Sequence, residues 1–78
     1  MKLIALNLPR NFDEQDLADL FKQFGNIRSC DLVLNTETGK SKGFGFVEMA
    51  LDHEGDIAIK ELHGSKVGKN KIRVKMAD

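Results

Sequence analysis

Cysteine is almost absent from this chain: Cys30 stands alone among 78 residues, so no internal disulfide can form and a reducing, cytoplasmic setting is the expectation. No apolar run approaches the ~18 residues that a membrane span needs. The opening stretch Met1-Lys2-Leu3-Ile4-Ala5-Leu6 is cut off by Asn7 and Pro9, too soon for a secretory signal. Net charge is missing as well, with 12 Lys and Arg against 12 Asp and Glu, which removes any overall attraction to a polyanion. Low-complexity tracts and linkers are also lacking, and the whole of 1–78 reads as one domain, one that buries roughly 60% of its unfolded surface.

Several chemistries fail for want of a partner residue. Gly39-Lys40-Ser41 has the ending of a phosphate-binding loop, but G-x-x-x-x-G-K-[ST] needs a glycine where Leu34 stands. Gly43-x-Gly45 has no third glycine and lies in an alternating stretch rather than at a strand-to-helix turn, which excludes a dinucleotide site. His53 and His63 have no cysteine at ligand spacing and read as surface residues. No nucleophile, base and orienting group assemble, so no enzyme, cofactor or metal is expected. Cys30 alternates inward with Leu32 in Ile27-Arg28-Ser29-Cys30-Asp31-Leu32 and reads as a core residue rather than a reactive thiol.

What the chain does have is a regular alternation of strand and helix patterns. Residues 2–7 form a short apolar strand that ends in the turn signal Asn7-Leu8-Pro9. Asp13 is placed to cap a helix over 13–24, with Phe12 before it and Asp16 three residues on. Leu17, Leu20, Phe21 and Phe24 make one apolar stripe, and Gly25 ends it. A strand over 27–34, a polar loop over 35–41 and a strand over 42–49 follow. Asp52 is the expected cap of a second helix, 52–63, whose stripe is Gly55, Ala58, Ile59 and Leu62, with Gly64 as its stop. Glycine inside a helix is unfavourable by about 1 kcal/mol relative to alanine, so Gly55→Ala is expected to stabilise unless the sheet approaches too closely for a methyl group. The last strand, 71–76, alternates Ile72, Val74 and Met76 with Lys71, Arg73 and Lys75. A βαββαβ order with one apolar stripe per helix implies an α+β, two-layer sandwich of ferredoxin-like type: a four-stranded antiparallel sheet with both helices on one face.

The open face is then defined by parity. In Lys42-Gly43-Phe44-Gly45-Phe46-Val47-Glu48-Met49, strand geometry sends Lys42, Phe44, Phe46 and Glu48 to one side and Val47 and Met49 to the other. Charge is sorted in the same way. The two helices carry Asp13, Glu14, Asp16, Asp19, Asp52, Glu54, Asp56 and Glu61 against Lys22 and Lys60, whereas residues 64–77 carry Lys66, Lys69, Lys71, Arg73 and Lys75 and no acid. A neutral chain thus becomes a dipole with a basic sheet side, suited to phosphate.

The run 42–49 resembles the octapeptide of RNA recognition motif domains, K/R-G-F/Y-G/A-F-V-x-F/Y, at every position but the last, where Met49 replaces an aromatic. The family's hexapeptide corresponds to Leu3-Ile4-Ala5-Leu6-Asn7-Leu8. Its Asn-Leu ending is present, but Ile4 stands where a stacking aromatic is usual and Leu6 where glycine or a polar residue is common. The resemblance spans residues 2–77 and is similar to small single-domain bacterial members. It implies single-stranded RNA as the partner, with Phe46 stacking on a base, Phe44 packing against sugars and Lys42 reaching a phosphate. Ile4 offers apolar contact without a π-face, which should weaken one nucleotide contact by about tenfold. Lys71, Arg73 and Lys75 supply further cations, and Asn7, Lys40 and Val33 complete the expected RNA-binding set. Asp31 and Glu48 on the same face repel phosphate and are suited to orient cations or accept from base amino groups. The alternative is a protein-interaction or dimerisation module on the same fold, in which Phe44, Phe46, Ile4, Val33 and Leu6 form an apolar patch for a peptide, a helix or a second copy of the chain.

Overall fold

A computed structural model of the chain describes residues 1–77. Its elements are β1 (Lys2–Leu6), α1 (Glu14–Lys22), β2 (Ile27–Leu34), β3 (Ser41–Met49), α2 (Asp52–Leu62), a short hairpin of β4 (Lys66–Val67) and β5 (Asn70–Lys71), and β6 (Arg73–Met76). The main sheet has the order β2-β3-β1-β6 with every neighbouring pair antiparallel. Leu3, Ala5, Val47, Met49 and Val74 from its inner face form one buried cluster with Leu17 and Phe21 of α1 and Ala58 and Leu62 of α2. Both helices therefore lie on one face, as the stripes imply, and the α+β sandwich is the observed architecture.

The start of α1 follows from local chemistry. The Asp13 carboxylate accepts the Asp16 N–H at 2.7 Å, and the Asp16 carboxylate accepts the Asp13 N–H at 3.1 Å, a reciprocal cap with acids at the positive end of the helix dipole. At α2 the expected cap shifts by one residue. Leu51 is the N-cap, without a side-chain hydrogen bond, and Asp52 is instead the first helical residue, 3.5 Å from the N-terminal ammonium of Met1. That ammonium also donates to the Met49 carbonyl at 3.1 Å.

The last strand departs most from expectation. A continuous strand over 71–76 is broken at Ile72, whose N–H donates to the Ser65 carbonyl (2.9 Å) and whose carbonyl accepts from the Gly64 N–H (2.8 Å). Ile72 is thus tied to the exit of α2, and Lys71 pairs with Lys66 in the small hairpin rather than in the main sheet. Met76, expected inward, is 53% exposed at the last residue of β6, whereas Val74 two residues earlier is buried. Cys30 is half-buried opposite Val47, and its thiol donates to the Glu14 carbonyl at 3.7 Å. Burial, then the charges of Glu14 and Asp31, push this thiol from 9.0 up to about 11.

At Gly45 a side chain of α1 packs directly on the sheet backbone. A Cβ there would lie 2.7 Å from the Asp31 carbonyl oxygen, 2.7 Å from Leu17 Cδ2 and 3.2 Å from Leu32 Cα. Gly45→Ala is therefore expected to lower the melting temperature by roughly 5–15 °C, from about 1–3 kcal/mol of overpacking, as a thermal melt would show. Gly55→Ala is not the simple gain expected from propensity. The new methyl group meets the half-buried Met1 thioether, rather than a strand, and displacing it offsets the helix gain of about 1 kcal/mol. No rise in melting temperature is expected, and a rise of about 4 °C or more would show that Met1 swings clear freely. For Cys30, alkylation by iodoacetamide at pH 8 should be about tenfold or more slower in the folded chain than in urea, the scarcer thiolate outweighing its greater intrinsic nucleophilicity. Equal rates would show an open thiol.

Candidate nucleic-acid interface

The helix-free face is organised in rows that run across the strands. Asp31 of β2, Phe46 of β3, Ile4 of β1 and Lys75 of β6 are successive partners in one row. Phe44, Leu6 and Arg73 form the next. A third holds Ser29, Glu48 and Lys2. The two phenylalanines meet edge to face, with ring centroids 6.3 Å apart and planes at 81°. Both are half-buried, and so are Ile4 and Leu6 beside them, which gives an apolar floor with charged ends.

Lys2 is the functional candidate that the sequence analysis passed over. Its ammonium lies over the Phe46 ring, 5.0 Å from the centroid, a cation–π contact that covers the ring face. Its parity with Ile4 and Leu6 was the available signal. Arg10 is a second addition, with weaker warning because it sits in a loop. Its Nη1 donates to the Ser41 carbonyl at 3.3 Å, and its guanidinium lies over Gly43, where a Cβ would be 2.8 Å from Nε. Gly43 has φ +84°, its N–H donates to Ser41 Oγ at 2.9 Å, and its carbonyl accepts from the Leu8 N–H at 2.8 Å. The glycine thereby lets β3 bulge while the loop after β1 closes over it. Lys42, exposed beside this bulge, borders a groove of about 250 Å³ with Leu6, Asn7, Arg10, Phe44 and Asn70.

The other expected residues fall in different places. Arg73 and Lys75 are exposed on β6, in the rows of Phe44 and Phe46. Lys71, though outside the main sheet, borders a groove of about 730 Å³ with Leu6, Arg73 and His63. Asn7 has φ 60°; its side-chain amide donates to the Lys71 carbonyl at 2.9 Å, and its own carbonyl accepts from Asn70 Nδ2 at 3.1 Å. It binds the end of β1 to the hairpin through one of its two amide hydrogens, which leaves the other and Oδ1 exposed. Val33 is half-buried between Leu32, opposite Gly45, and Leu34, opposite Ser41, facing the bulged stretch 42–44. Lys40 is not with the others. It lines a groove of about 480 Å³ between the start of α1 and the β2–β3 connection, along with Phe12, Leu32 and Leu34. His63 also has a structural task, its Nδ1 accepting the Val74 N–H at 3.2 Å.

The face thus presents Lys2, Lys42, Arg73 and Lys75 around two rings, with Asp31 and Glu48 as its acids, while most of the other acids among the described residues stand on the helix layer. No described helix is long and apolar enough to cross a membrane.

Comparison with known proteins agrees with this geometry. The model of the RNA recognition motif matches residues 6–73. Cleavage and termination factor 1 of Schizosaccharomyces pombe is 38% identical over 68 residues, which cover 87% of this chain and 19% of that protein. The chain spans between 11% and 26% of the length of the first curated relatives that it matches. Among solved structures, the crystal structure of RNA binding protein PG1 superposes with a TM-score of 0.95 at 38% identity, over 99% of this chain and 93% of that one. A Sex-lethal protein–RNA complex superposes with a TM-score of 0.94 at 31% identity, over 99% of this chain and 46% of that one. With its octapeptide on the open face of a βαββαβ sandwich and the family model matched over most of its length, this chain belongs to the RNA recognition motif family.

Proposed function

We propose that this chain binds single-stranded RNA across the open face of its sheet as a monomer. The observation that carries the reading is the pair Phe44 and Phe46, half-buried on a face without helices and bordered by Lys2, Lys42, Arg73 and Lys75. Apolar rings left open beside cations are matched by a flat base with its phosphate, which covers the ring and pairs the charge. The RNA-bound Sex-lethal relative supports this ligand class.

In this reading Phe46 stacks under one base, Phe44 packs against sugars, and Lys42 pairs with a phosphate. Lys75 and Arg73 extend the cationic side along β6, and Lys71 continues it at the hairpin. Ile4 and Val33 give apolar contact without stacking. Asn7 holds the frame, and Lys40, in the neighbouring groove that Arg10 also lines, adds attraction at longer range. About two to four nucleotides are contacted. One full stack, set against the ordering of a flexible strand, gives an affinity of roughly micromolar or weaker. The unpaired, half-buried Cys30 suits a reducing compartment such as the cytoplasm.

The aliphatic pair Ile4 and Leu6 favours a second reading, a protein partner on the same patch. Titration of a short RNA against salt separates the two. With about three or four phosphates neutralised at about 0.7 each, log affinity should fall against log salt with a slope of about −2 to −3. Phe46→Ala should weaken binding about tenfold or more while backbone amide resonances keep the folded pattern. A slope near zero, or an affinity untouched by Phe46→Ala, would overturn the RNA reading. If Phe46→Ala instead abolished self-association or capture of a protein, the partner reading would replace it.

A further inference from the structure

Resting on the RNA reading above, we infer that the base stacked on Phe46 is guanine, selected by Asp31 and Lys2 on its two edges. Phe46 lies between Asp31 on β2 and Ile4 on β1, and the Lys2 ammonium stands 5.0 Å from the ring centroid. A base laid on this ring therefore meets a carboxylate at the β2 side and an ammonium reaching in from β1. Among the described residues neither group forms an ion pair, and both are exposed. Glu48 is the register partner of Lys2, one row away, which leaves Asp31 as the acid beside the ring.

The two groups ask for opposite things. An ionised carboxylate only accepts hydrogen bonds, and it repels phosphate, so Asp31 is suited to a base edge that donates. Guanine is the one RNA base that presents two adjacent donors on one edge, N1–H and the N2 amino group, matching both oxygens of a carboxylate. The adjoining edge offers O6 and N7, two acceptors within reach of an ammonium on a flexible stem. Adenine and cytosine each place a single amino group beside an acceptor nitrogen, and uracil places its one N–H between two carbonyls; each sets an acceptor against the carboxylate. In the free chain the Lys2 ammonium rests on the electron-rich face of Phe46. When the base takes that face, the flexible lysine stem lets the ammonium move to the O6 and N7 edge, so the cation is transferred rather than stranded.

The experiment measures binding of 5′-UUGUU and of the same strand with adenosine, uridine, inosine or 7-deazaguanosine at the centre. The expected result is a preference for guanosine of about tenfold over adenosine and uridine, with intermediate affinity for inosine, which lacks the amino group, and for 7-deazaguanosine, which lacks N7. Asp31→Ala, at an exposed position, should bring the guanosine-to-uridine ratio close to one while affinity for 5′-UUUUU stays the same or rises. Asp31→Asn should lose most of the preference without a change in side-chain size. Lys2→Met should lower the guanosine preference and narrow the gap to 7-deazaguanosine. Equal affinity of the native chain for all five strands, or a full preference retained by Asp31→Ala, would overturn the assignment. If all strands bind equally and Phe46→Ala still removes binding, only the base assignment falls. If none binds, the RNA reading falls with it.

Discussion

The contact of Leu17 with the bare backbone of Gly45 is the constraint on which the rest of the molecule depends. At 2.7 Å from a would-be Cβ, the Leu17 methyl group occupies space that any other residue at position 45 would claim. That seating brings α1 down onto β2 and β3 and buries Leu17 and Phe21 completely. Strand geometry then leaves Phe44 and Phe46, the residues on either side of Gly45, no choice but the opposite face. One glycine separates the two rings in sequence and the two layers in space. The open face is in this sense a product of helix packing on its reverse side.

Charge follows the same division. The acids that make the chain neutral overall stand largely on the helix layer, several of them in first turns, where the helix dipole favours them: Glu14 and Asp16 in α1, Asp52 and Glu54 in α2. The cations of β1, β3 and β6 are left to dominate the open face. Local stability and surface potential are therefore served by one distribution, and a net charge of zero hides a polarised molecule. The exceptions on the sheet, Asp31 and Glu48, lie in register with Phe46 and Lys2 and so have neighbours to act on.

Legibility in the sequence tracked the range of the interactions involved. The Asp13 cap could be read because its partner is three residues away. Phe44 and Phe46 could be read because a period of two needs no knowledge of the neighbouring strand. Lys71 could not be placed, because its strand is interrupted by bonds from Ile72 to Gly64 and Ser65, which alternation does not encode. α2 starts not from an Asp52 cap but from Leu51, a cap without a side-chain hydrogen bond and so without a residue-type signal in the sequence. The tie from Asn7 to the hairpin could not be read either, because the Lys71 carbonyl that takes one of its amide hydrogens lies 64 residues later.

By itself, then, the sequence determined which residues alternate, which stripes are apolar, and hence which face is open and which rings stand on it. Those are properties of a single strand or helix, set by backbone geometry. Tertiary structure alone decided which side chains become neighbours across strands: Lys2 over Phe46, Asp31 beside it, Ile4 between Phe46 and Lys75, and Lys40 in the groove beside the start of α1. Register, bulges and the closing of loops fix those neighbours, and each depends on hydrogen bonds between residues far apart in the chain.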